Sequence, residues 1–193
     1  MFYKKIILIL SIFLLTIPVS AKINPINAEK NAQSRNNSGV EYMQEKDYLA
    51  AIKEFKIAIA INPNHQTSAI YHNNLGRAYI EMAKVYKEYK MPKQSIEFAH
   101  FAEISFENAI NQDCMQLNFY KNLVESFELQ NILASKRKEY LKKTENPFNS
   151  IIVAFIEEKM GNKTTMQIIL DDFIAQYPDL IITISLKNFL SQQ

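Results

Sequence analysis

Among 193 residues there is one cysteine, there are three glycines and there is no tryptophan. A lone Cys114 can close no disulfide within the chain, so side-chain packing has to hold the fold. Gly39, Gly76 and Gly161 are too few to supply the turns of a β-rich fold, and few segments alternate with the period of a strand. Charge of one sign is scarce too. Lys and Arg number 22 against 20 Asp and Glu, and the surplus is Lys4 and Lys5, which precede any acid. A nucleic-acid binder carries its basic surplus across the folded part, so nucleic acid is not expected as a partner.

Catalytic signatures are also missing. There is no Gly-rich phosphate loop, no nucleophile elbow and no cysteine–histidine pair with nucleophile logic. The doublets Glu157-Glu158 and Asp171-Asp172 put neighbouring carboxylates about 100° apart on a helix, which suits a solvated face or a cap better than paired acid–base work. Glu97 and His100 have the Glu-x-x-His spacing of di-metal bundles, but no second copy completes such a site. No catalytic residue, metal or cofactor is therefore expected, and an enzyme is the most distant of the function classes.

Residues 1–21 combine Lys4 and Lys5, an apolar run over 6–17 and the small residues of Val19-Ser20-Ala21. This is the form of a secretory signal peptide cut after Ala21. About 14 apolar residues ending at Pro18 fall short of the ~20 that span a bilayer, so no stable membrane insertion is expected after cleavage. The mature chain is read as periplasmic or secreted.

Polar residues 22–35 read as a flexible lead-in. Beyond them the apolar period is helical, with breaks at Pro63, Pro92, Pro147 and Pro178. It predicts helices over 32–45, 47–61, 67–90, 92–112, 116–130, 132–144, 148–160 and 164–177. Residues 179–193 are expected to cap the domain, although the β-branched Ile181-Ile182-Thr183-Ile184 leaves a strand as the alternative. The fold class is all-α, an α-solenoid of antiparallel helix pairs over 36–178.

Gly39, Tyr42, Ala51, Phe55, Ala58 and Pro63 follow the spacing G-x2-Y-x8-A-x3-F-x2-A-x4-P. Small residues let two helices approach while the aromatics fill the space around them. Gly76, Tyr79, Ala102, Phe106 and Ala109 repeat the pattern, with 26 residues from glycine to alanine instead of 12. The excess is two heptads, which lengthens both helices without rotating their apolar faces and predicts a protruding hairpin turning near Met91-Pro92. These residues resemble tetratricopeptide repeats, closely over 36–66, well over 69–114 and weakly over 115–178.

The resemblance implies a concave surface lined by the first helix of each pair, used to hold a peptide or helix of another protein. Carried onto this chain, the groove residues are Asn36, Val40 and Met43, then Asn73, Arg77 and Ile80, then Lys121 and Glu125. The hairpin tip, with Tyr86, Tyr89, Lys90 and Met91, is a second contact surface, unless those side chains pack the hairpin's own seam. The basic cluster over 136–143, with Lys136, Arg137, Lys138, Lys142 and Lys143, is read as a solvated helix face. These readings converge on an exported adaptor that binds protein. The alternative is a self-associating structural component or assembly factor of a cell-envelope complex.

Overall fold

The computed structural model describes residues 25–63 and 66–192. The leader, its cleavage point and His65 lie outside the described residues. The fold is all-α, and the order is α1 (Pro25–Gln44), α2 (Tyr48–Ile61), α3 (Ser68–Glu88), α4 (Pro92–Gln112), α5 (Leu117–Leu129), α6 (Leu133–Tyr140), α7 (Asn149–Lys159), α8 (Lys163–Gln176) and α9 (Ile181–Leu190). Helices pack in adjacent pairs, as a solenoid requires, around a core running from Ala51 in α2 to Phe189 in α9. No helix among the described residues is long and apolar enough to cross a membrane.

Three boundaries differ from the sequence reading. Helix α1 starts at Pro25 rather than 32, and its early turns are held by Ala32, which is fully buried against Ala58 and Tyr71. The expected flexible lead-in is therefore helical over its described part. Helix α6 stops at Tyr140 rather than 144, where the chain turns and Asn149 Nδ2 donates to the Lys143 carbonyl at 2.8 Å. Residues 181–184 are helical, because Ile182 and Thr183 both reach the core from a helix face.

Close approach explains two glycines. A Cβ on Gly39 would lie 2.5 Å from Phe55 Cε1, and one on Gly76 would lie 2.5 Å from Phe106 Cε1. Both rings are fully buried. The two pairs α1–α2 and α3–α4 thus share one contact, glycine under phenylalanine. Tyr42 does not fill that space as expected; it is 36% exposed, whereas its counterpart Tyr79 is buried.

A second regularity sits in the turns. Lys46, Lys90, Asn131 and Gly161 each adopt a left-handed conformation, with φ of 63°, 58°, 58° and 86°. Each is followed by a residue whose N–H reaches five residues back: Asp47 to Tyr42, Met91 to Tyr86, Ile132 to Phe127 and Asn162 to Glu157, at 2.8–3.0 Å. This is the Schellman closure, which satisfies carbonyls at the end of a helix. Four hairpins, α1–α2, α3–α4, α5–α6 and α7–α8, therefore turn in the same way, with α9 closing the end. Only one of the four positions is glycine, and a non-glycine residue there bears about 1–2 kcal/mol of strain. Lys46→Gly is expected to raise the thermal midpoint, while Gly161→Ala should lose about 1 kcal/mol in denaturant titration.

The second hairpin protrudes. Helix α3 continues to Glu88, 12 residues past Gly76, whereas α1 ends at Gln44, 5 residues past Gly39. The difference extends the tip by about 10 Å. An aromatic seam holds its base: Tyr86 stacks on Phe98 with centroids 5.2 Å apart, and Tyr79 lies 6.0 Å from Phe98 and 5.5 Å from Phe101. Ser95 Oγ donates to the Ala83 carbonyl at 2.8 Å, tying the two helices at the level of that stack.

Candidate protein-binding groove

Helices α1, α3 and α5, the first members of successive pairs, line one depression of about 680 Å³. Val40 and Met43 reach it from α1, Asn74, Arg77, Ile80, Glu81 and Lys84 from α3, and Asn122 and Glu125 from α5. The apolar side is mixed, with Val40 37% exposed and Ile80 showing only an edge. A neighbouring depression of about 370 Å³ shares Asn122 and Glu125 and extends the surface to Lys121, Phe155 and Glu158. Five of the residues carried over from the repeat resemblance, Val40, Met43, Arg77, Ile80 and Glu125, thus share the first depression, and Lys121 joins the second.

Asn36 and Asn73 do not line it. Both are buried, and each accepts an amide hydrogen from the next pair: Asn74 Nδ2 to Asn36 Oδ1 at 2.9 Å, and Asn122 Nδ2 to Asn73 Oδ1 at 2.8 Å. They are ties between successive first helices. The groove-facing amides are the donors, Asn74 and Asn122, each with an oxygen to spare. Sequence reasoning missed Asn122 as a site residue. Its signal was register, because Lys121-Asn122 occupies the position of Asn36-Asn37 and Asn73-Asn74.

The charges in the groove are arranged unequally. Lys84 Nζ sits 2.9 Å from both Glu81 Oε1 and Glu125 Oε1, which neutralises it and joins α3 to α5. Burial pulls the Lys84 ammonium down, but the hydrogen bonds and charges of those two carboxylates outweigh it and hold it above its ordinary range. Arg77 is exposed and makes no ion pair among the described residues. Lys121 lies with Nζ 3.9 Å from the Phe189 ring centroid and 5.4 Å from that of Phe155, fastening α5 to α9 through a cation–π contact. Burial lowers its pKa, with Glu158 opposing the shift.

The basic run and the acid doublet are not simple solvated faces. Lys136 Nζ is 2.7 Å from Glu103 Oε1, and Gln130 Nε2 donates to Glu103 Oε2 at 2.8 Å. Burial raises the Glu103 carboxyl, yet these hydrogen bonds dominate and hold it below the usual carboxylate range. Arg137 Nε bonds to Glu157, which is 1% exposed and also accepts from Asn162 Nδ2 at 2.7 Å. Glu157 is therefore a buried anchor, and the sequence reading of it as solvated is corrected. His100 Nδ1 lies 3.4 Å from Glu103 Oε2, the carboxylate that Lys136 and Gln130 already satisfy. Cys114 is half-buried, and its carbonyl accepts from Tyr120 Oη at 2.8 Å.

At the hairpin tip the four predicted residues part company. Tyr86 belongs to the aromatic seam, while Tyr89 (74% exposed), Lys90 and Met91 face solvent.

The chain matches no family model and no curated protein. The groove presents two amides with an oxygen to spare, a guanidinium with no ion pair among the described residues, and exposed aliphatic carbon. Such a set can bond a peptide main chain through the amides, hold one acidic or polar group at Arg77 and accommodate small apolar side chains.

Proposed function

We propose that this chain is an exported adaptor of the tetratricopeptide-repeat kind, holding an extended segment of another protein in the groove of α1, α3 and α5 and catalysing no reaction. The observation that carries this reading is the pairing of Asn74 and Asn122, whose amides tie the helices on one side and keep bonding capacity toward the groove. Arg77 adds a cation that makes no ion pair among the described residues. The glycine–phenylalanine contacts at Gly39 and Gly76 support the repeat assignment, and the four equal turns support a count of four hairpins. The form of residues 1–21 supports export.

A photocrosslinking side chain placed at Val40 in the native host tests the groove. The expected result is a discrete adduct with another protein, absent when the same group is placed at Leu49, which is 63% exposed but lies outside the groove. Arg77→Glu should weaken the adduct at least about tenfold, the size of a lost charge-assisted hydrogen bond. Equal adducts from both positions would refute the groove reading.

Self-association is the second reading, favoured by Ile181 and Ile184, which stand 70% and 63% exposed on α9. Light scattering on the mature chain decides it, since a strict monomer excludes that role.

A further inference from the structure

The far end of the α3–α4 hairpin is unlike the rest of the surface. Tyr89 has the largest exposure, 74%, of any large apolar side chain among the described residues, and Met91 beside it is 39% exposed. Lys87, Lys90 and Lys93 surround them, all exposed and none in an ion pair among the described residues, with Glu88 as the one acid of the turn. The left-handed Lys90 and the Met91 N–H bond to Tyr86 fix the turn, and the Tyr86–Phe98 stack stiffens its base. The result is a rigid, convex, cationic point bearing an aromatic ring and a thioether, about 10 Å beyond the first hairpin.

We infer that this tip docks reversibly on an anionic lipid surface, independently of the groove. Shape and charge favour lipid over protein. Residues 87–93 are far fewer than the roughly 20–30 per side of an ordinary stable protein interface, and a convex tip would need a matching cavity in its partner. A bilayer interface needs no such cavity. It takes Tyr89 at headgroup depth and Met91 just below, while the lysine ammoniums meet the phosphates. Each lysine near such a surface contributes about fivefold in binding, partly offset here by Glu88. Attachment is consequently weak, and it is peripheral rather than spanning.

The test is cosedimentation with vesicles, using a chain that starts at Lys22. It retains every described helix and lacks the apolar leader, which would bind lipid on its own account. Vesicles of phosphatidylcholine containing phosphatidylglycerol are expected to carry the protein down, and phosphatidylcholine alone should not. Reversing Lys87, Lys90 and Lys93 to Glu should cut binding by about a hundredfold, with the thermal midpoint unchanged. Tyr89→Ser with Met91→Ser should cut it by about tenfold. The inference is overturned by a failure to bind the anionic vesicles, by binding that survives the lysine reversal, or by tighter capture on immobilised polyglutamate than on vesicles. That last result would assign the tip to an acidic protein.

Discussion

Gly76→Leu is expected to lower stability by about 2–3 kcal/mol, a fall of roughly 4–12 °C in the thermal midpoint for a chain of this size. Helix propensity argues the other way, since leaving glycine for leucine in a helix gains about 0.8 kcal/mol. Packing decides the sign. The first carbon of any side chain would lie 2.5 Å from Phe106 Cε1 and 2.7 Å from Cδ1 and Cζ, and the Phe106 ring has no exposed edge through which to yield. Combining Gly76→Ala with Phe106→Leu should cost less than the two changes added, because each relieves the other's clash or void. Additive losses, or an unchanged melting point for Gly76→Leu, would mean that glycine and ring do not meet.

Arg137→Met should be at least as damaging, costing about 3 kcal/mol, because it strands a carboxylate rather than merely removing an ion pair. Glu157 is 1% exposed, and without the guanidinium only Asn162 would compensate its charge. The figure is set at the low end of losses for broken buried pairs because Arg137 itself is 41% exposed. Replacing both partners, Arg137→Met with Glu157→Gln, should recover most of the loss, since the stranded charge then disappears. Urea titration of the two variants checks the order. A double variant as unstable as the single one would place the effect in lost packing of the arginine stem.

The helix pattern was legible because apolar period and proline placement report local preference, and helices α2 to α5, α7 and α8 lie within two residues of the segments read from them. The first two hairpins were legible through glycine and alanine spacing, a direct record of helices in contact. The third and fourth were only weakly legible, because their regularity is in backbone geometry. A left-handed turn residue that is Lys, Lys, Asn and then Gly leaves no common letter in the sequence. The groove was half legible. Register identifies the first helices but not which of two adjacent asparagines faces the groove, and so it assigns Asn36 and Asn73 to contacts where the structure makes them ties. Nor could the order of residues show that Glu157 is buried and Glu158 is not, because that depends on Arg137, twenty positions away.

The amide rungs have a mechanical consequence. The spacing of α1, α3 and α5 is gauged by the same asparagine side chains that face the groove. In the adaptor role proposed above, affinity and the spacing of these helices are therefore one variable. A ligand held in that way, by drawing the Asn74 or Asn122 amide toward itself, would loosen the tie behind it and so change the spacing of the three helices.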